Sequence, residues 1–168
     1  MTDRARRIDK VLAPDYLDGL DNRPVDDLRA MKAEASEIET EVSYVRRLAQ
    51  GRIDILGAER KRRDDGGSLE DLISQLPKIL ASDAPRAPAA QARVAELLAP
   101  SPDITWSRGR EHLIDDSTLA RLPDLNDHEL ADALEALRAL ETEMSTQRKA
   151  LHVVLDALEH AIAANLRQ

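Results

Sequence analysis

The chain of 168 residues has no cysteine and no phenylalanine, and its aromatics are Tyr16, Tyr44 and Trp106. Without cysteine, disulfides and thiolate chemistry are excluded, and redox state says nothing about compartment. With so few rings, a compact core of aromatic and β-branched residues is not expected. No window approaches the roughly 20 apolar residues of a membrane span. The start of the chain, with Arg4, Arg6 and Arg7 close behind Met1, leads into no apolar stretch. It does not read as a signal peptide, and the cytoplasm is the default location. Basic residues are outnumbered, for a formal net charge of −8. A general nucleic-acid or membrane-surface binder needs a basic face, so neither DNA nor membrane is an expected partner. A small anionic ligand needs only locally placed arginines. His112, His128, His152 and His160 fall in no metal-ligand spacing, and no Ser–His–Asp or phosphate-loop pattern occurs. Gly66 and Gly67 make no phosphate cradle. The chain is therefore read as a non-enzyme.

What is present is Ala, Leu, Arg, Glu and Asp, with 33% of residues charged. That mix suits long helices and coiled coils, in which a thin Leu/Ala seam is buried and the rest stays wet. Four segments follow from the patterning. Residues 1–22 lack a clear period, are interrupted by Pro14 and Gly19, and read as a mostly irregular arm. The arm's Val11, Leu12, Tyr16, Leu17 and Leu20 fit either docking or local packing. Residues 23–65 form a first long helix. Pro24 is tolerated in a first turn, and Asp26 and Asp27 suit the positive end of the helix dipole. Apolar residues then recur at Leu28, Met31, Ala35, Ile38, Val42, Val45 and Ala49, in alternating steps of three and four. Arg52 breaks this seam and Leu56 resumes it. The basic run Arg60, Lys61, Arg62 and Arg63 suits a helix C-terminus, and Gly66 and Gly67 end the helix. Its length would be about 60 Å at 1.5 Å per residue, which calls for a partner helix.

Residues 66–125 form a connection with short helices. Ser68 and Asp71 cap the first, which holds Leu69, Leu72, Ile73 and Leu76 and is kinked or ended by Pro77. A second is expected at about 89–99. Trp106, in a Pro-bounded stretch beside Ile104, fits packing on the coil or an anchor for a partner. Residues 126–168 form the second long helix. Asn126 and Glu129 stand at N-cap and N3, and the seam runs Leu130, Leu134, Leu137, Met144, Leu151, Leu155, Leu158 and Ile162. The fold class is all-α: two long helices as an antiparallel coiled coil, with short helices in the long connection.

The two long helices repeat one another. With Leu28 laid on Leu130, Glu39 falls on Glu141, Ser43 on Ser145, Arg46 on Arg148, Gln50 on His152 and Asp54 on Asp156. Steps of four, three, four and four keep each set on one stripe, which in the first copy lies about 100° round the helix from the seam residues Ile38, Val42, Val45 and Ala49. Solvated charges flanking a coiled coil would explain one such set. Two copies with four identities in five, including a mid-helix serine that coiled-coil pairing does not ask for, point instead to a ligand. A carboxylate can accept from guanine N1–H and N2–H, and an arginine fork suits O6 and N7 or a phosphate. Ser and Gln can complete the hydrogen bonds. A pure phosphate site would not want two carboxylates per copy. Antiparallel packing would relate the copies by a pseudo-twofold axis, which suits a twofold-symmetric ligand or a pair of them.

This twice-present Glu, Ser, Arg, Gln, Asp signature resembles the RsiG family of cyclic di-GMP-dependent anti-sigma factors of sporulating actinobacteria. The resemblance implies an antiparallel coiled coil that binds a cyclic di-GMP dimer, two ligands per chain, between the repeats. It also implies that the loaded protein sequesters a WhiG-type sigma factor and holds back sporulation transcription. The ligand contacts it implies are Glu39, Ser43, Arg46, Gln50 and Asp54, with Glu141, Ser145, Arg148 and Asp156. His152 departs from the pattern's Gln, keeps one hydrogen-bond donor and introduces a titratable group. The acidic balance suits a basic DNA-binding partner. The competing interpretation is a coiled-coil adaptor that binds no ligand.

Overall fold

A computed structural model describes residues 7–81, 111–114 and 119–167. Among them every regular element is helical: α1 (Arg7–Val11), α2 (Val25–Asp65), α3 (Leu69–Ala81), α4 (Glu111–Ile114) and α5 (Asp127–Asn165), with 3₁₀ turns at Leu20–Asn22 and Leu122–Asp124. The helix expected at about 89–99 and Trp106 lie outside the described residues. The chain divides into two compact units, and α2 and α5 contribute to both.

The first unit comprises residues 1–44 and 143–168. Leu28, Ala35, Ile38 and Val42 of α2 are buried, as are Met144, Leu151, Val154, Leu158 and Ala161 of α5. Lys32 pairs with Glu159 at 2.7 Å and Glu39 with Arg148 at 3.0 Å, so the partner number falls as α2 advances and the helices run antiparallel. The arm is docked rather than self-packed. Val11 is fully buried, and the ion pairs Arg7–Glu37 (2.5 Å) and Lys10–Glu34 (3.1 Å) hold α1 against α2. The Tyr16 hydroxyl donates to the Met31 carbonyl at 3.5 Å. The helical turns of α1 are too short to show a period in sequence, so the arm read as irregular. Gly19, at φ 68°, takes the left-handed conformation that precedes the 3₁₀ turn.

The second unit comprises residues 45–142. Its seam contains Val45, Ala49 and Leu56 of α2 against Leu130, Leu134, Leu137 and Leu140 of α5, with Leu72, Leu113 and Leu122 also buried. Arg52 does not interrupt the seam. It is buried within it, and Glu59, three positions past Leu56, is 1% exposed. The three-four spacing therefore continues through polar residues. Glu59 accepts from Arg62 Nε (2.7 Å), Arg62 Nη2 (2.9 Å) and Arg63 Nε (2.6 Å). Arg63 in turn donates to the carbonyls of Leu122 (3.2 Å) and Leu125 (2.7 Å) and to Asp127 Oδ1 (2.9 Å). The end of α2 is thus clamped to the start of α5, again antiparallel.

The helix ends follow their capping residues. Gly67 N–H bonds the Arg62 carbonyl at 2.9 Å and Gly66 N–H the Arg63 carbonyl at 3.2 Å, with Gly66 at φ 71°, a Schellman ending for α2. Asn126 and Glu129 exchange backbone-to-side-chain hydrogen bonds of 2.9 and 3.0 Å, a capping box at the start of α5. Ser68 and Asp71 do the same for α3. Pro77 does not end α3, which runs on to Ala81. A proline deprives the helix of one N–H donor, here the partner of the Ile73 carbonyl. Ile73 is exposed, so water can take that acceptor.

Candidate functional site

The duplicated stripe projects from α2 and α5 beside the buried seam, and the structure gathers its residues unit by unit. In the first unit Glu39, Ser43, Arg148 and His152 form one cluster. Ser43 is buried, and its hydroxyl donates to Glu39 Oε1 at 2.7 Å. Arg148 Nε lies 3.0 Å from both Glu39 Oε1 and Ser43 Oγ. His152 Nε2 stands 3.4 Å from the same Glu39 oxygen. Ser145 is half-buried on the same stripe of α5. Asp156 is exposed one turn after His152, with its carbonyl 2.7 Å from His160 Nδ1.

In the second unit Arg46 Nη1 lies 3.5 Å from Glu141 Oε1, and Gln50 Nε2 donates to Asp54 Oδ1 at 3.2 Å. The Arg46 Nε is buried with no hydrogen-bond partner among the described residues. A buried donor left unsatisfied costs about 1–3 kcal/mol, so an acceptor brought to it is favoured by that amount. The Glu–Arg pairing is the same in the two units with the helices exchanged. Glu39 of α2 meets Arg148 of α5, and Glu141 of α5 meets Arg46 of α2.

Electrostatics in the first cluster favour a fixed negative charge. Burial pushes the Glu39 carboxyl up, but the hydrogen bonds from Ser43 and Arg148 and the Arg148 charge outweigh it. They hold Glu39 below the usual carboxylate range. Glu39 is therefore ionised near neutrality and acts as an acceptor. The cluster can offer carboxylate acceptors, guanidinium donors and a hydroxyl within one helical turn. That set matches a heterocycle edge carrying both donors and acceptors better than it matches phosphate alone. Among the described residues no group of His, Asp and Glu is arranged to hold a metal ion, and no helix is long and apolar enough to cross a membrane.

The family model described as RsiG-like matches residues 14–80. Over that segment the chain is similar to the RsiG-like family. The match takes in the last part of the arm, from residue 14 and so past α1, all of α2 with the five positions of the first copy, and α3 up to its last residue but one. The match ends before α5, so the second copy rests on the chain's own repeat and on the exchanged Glu–Arg pairs. No curated protein matches the chain.

Two features of the RsiG-like segment escaped the sequence reading. One is the buried Glu59 with its two arginines. Continuing the three-four count through Arg52 and Leu56 would have found it, had charged residues been allowed in the seam. The other is the open apolar edge of α3, for which the sequence carries no signal, because exposure depends on what the helix packs against.

Proposed function

We propose that the chain is a cyclic di-GMP-responsive anti-sigma factor. It binds two molecules of the dinucleotide through the two motif copies and, so loaded, sequesters a WhiG-type sigma factor in the cytoplasm, repressing sporulation transcription. It acts by binding and not by catalysis. Glu39 and Glu141 accept from the guanine N1–H and N2–H edge, and Arg46 and Arg148 direct their forks at O6 and N7 or at phosphate. Ser43, Ser145 and Gln50 complete the hydrogen bonds, with His152 in the place of a second Gln. Asp54 and Asp156 close each copy as further acceptors.

The observation that carries this reading is the exchanged Glu–Arg pairing. The same two repeat positions meet in each unit, within a stripe whose first copy lies in the RsiG-like segment. A twofold-symmetric ligand meets the same groups on both helices. Ligand binding exchanges the internal Arg148–Glu39 and Arg46–Glu141 contacts for charge-assisted hydrogen bonds of the same kind to base and phosphate.

One specific observation favours the ligand-free adaptor: Glu39, Ser43 and Arg148 already bond one another. Gel filtration of the chain with a WhiG-type sigma factor, with and without cyclic di-GMP, separates the two. Co-elution that requires the dinucleotide, or tightens at least about tenfold with it, is the expected outcome; tenfold corresponds to about 1.4 kcal/mol of coupling. Co-elution indifferent to the dinucleotide leaves the adaptor, and no co-elution in either condition removes the anti-sigma reading.

A further inference from the structure

The ligand reading makes no use of α3. Its apolar residues Leu69, Leu72, Ile73, Leu76 and Ile79 fall at three- and four-residue steps and so form one stripe. One edge of that stripe is covered: Leu72 is buried, and Leu76 and Ile79 are half-buried. The other edge is open, with Leu69 43% and Ile73 57% exposed. Helical geometry sets these two one turn apart, bounded on the outer side by Glu70 and Pro77. The helix is held at its start by the Ser68–Asp71 capping box. The open edge is thus carried on a capped helix.

We propose that this edge docks the sigma factor, taking an amphipathic helix with apolar residues on its face and basic residues on its flank. The proposal rests on the anti-sigma reading above and adds the surface to it. Charge complementarity selects the occupant. The residues just before and within the start of α3 include the carboxylates Asp64, Asp65, Glu70 and Asp71, and the nearby Arg62 is engaged by Glu59 and the Gly67 carbonyl. Asp65 is paired with Lys61 at 2.5 Å and Asp71 caps α3, while Asp64 and Glu70 are exposed and unpaired among the described residues. A protein that binds promoter DNA carries basic surface to do so, and exposed carboxylates such as Glu70 beside an apolar strip attract such a surface and repel an acidic one. The family match adds a second argument. It continues past Asp54, the last ligand position of the first copy, to residue 80, although α3 contributes no motif residue.

The test uses the full chain with Leu69→Gln and Ile73→Gln together, and separately Glu70→Lys. Gln keeps helix propensity, and both replaced side chains are exposed, so the fold is retained. Helical circular dichroism and the cyclic di-GMP isotherm are expected to match wild type. Affinity for the WhiG-type sigma factor is expected to fall at least about tenfold in the double variant, the scale of losing two apolar interface contacts. It should fall several-fold, with a reduced salt dependence, in Glu70→Lys. Sigma affinity equal to wild type in both variants overturns the α3 surface and leaves the anti-sigma reading standing. Should the double variant instead change only the oligomeric state of the free chain, a second copy covers the edge and the proposal is wrong. A wild-type chain that binds no sigma factor, loaded or unloaded, overturns the reading and the surface together.

Discussion

Arg148→Ala is expected to weaken cyclic di-GMP binding by about 100-fold or more while both long helices persist. The side chain is 43% exposed and lies outside the seam, so its loss removes no core contact. What it removes is a fork whose hydrogen bonds, being charged, contribute about 1.5–3 kcal/mol each. Two such bonds cover the expected loss. It also leaves Glu39 without its main cation, so the half-buried carboxylate repels an anionic ligand instead of being neutralised. Arg148→Lys should recover only part of the affinity, because an ammonium restores the charge but not the planar fork. Calorimetric titration of the three proteins, with circular dichroism as the fold control, makes the comparison. An Arg148→Ala isotherm that overlays wild type would detach the second motif copy from ligand binding.

The second large effect concerns stability. Glu59→Ala is expected to lower unfolding free energy by about 3 kcal/mol, because it leaves Arg62 and Arg63 without their shared carboxylate at a nearly closed position. The clamp from Arg63 to Leu122, Leu125 and Asp127 loosens with it. A pH dependence follows. The Arg62 hydrogen bond, opposed by burial and joined by the Arg63 hydrogen bond, holds the Glu59 carboxyl below the usual range. A carboxyl whose folded value is depressed stabilises the native state above its unfolded value of about 4.3. That contribution is lost as pH falls from there through the lower folded value. Wild-type urea midpoints should therefore drop on acidification below about pH 4.3. The Glu39 carboxyl, also depressed, adds in the same direction. In Glu59→Gln that drop should be shallower, from a lower starting stability at pH 7. Equal acid slopes in the two proteins would show that Glu59 is not held charged in the native state.

Much of this architecture could be read from residue spacing. Three-four steps place Leu28, Met31, Ala35, Ile38, Val42, Val45 and Ala49 in a seam, and all are buried but the half-buried Met31; on α5 Leu155 and Ile162 are half-buried, and their neighbours Val154 and Ala161 are buried instead. Asn126 with Glu129, and Ser68 with Asp71, announce helix starts because a side-chain acceptor three residues from a partner is a local device that needs no tertiary context. The repeat was legible for the same reason: it is a pattern of identities and spacings. What spacing does not carry is the choice between burial and exposure for a residue of mixed character. Arg52 and Glu59 occupy seam positions, yet their charge argued for solvent until their packing could be seen. Val11 is one valine in a polar arm, and only the α2 surface opposite it makes it core. Pro77 reads as a helix stop because a proline removes a donor, but the one carbonyl it orphans lies on an exposed face. For the candidate site, the sequence supplied the repeat and the residues proposed for it. The exchange of Glu39–Arg148 for Glu141–Arg46 became visible only once the helices were paired antiparallel.

The central claim, that the duplicated stripe is a site for the dinucleotide, is tested most directly by titrating the purified chain with cyclic di-GMP in a calorimeter. Saturable binding at two ligands per chain is the expected result, and the heat should vanish when the same cell holds Arg46→Ala. No heat at dinucleotide concentrations that saturate other receptors of the ligand would contradict the claim and leave the repeat as a charged flank of a coiled coil.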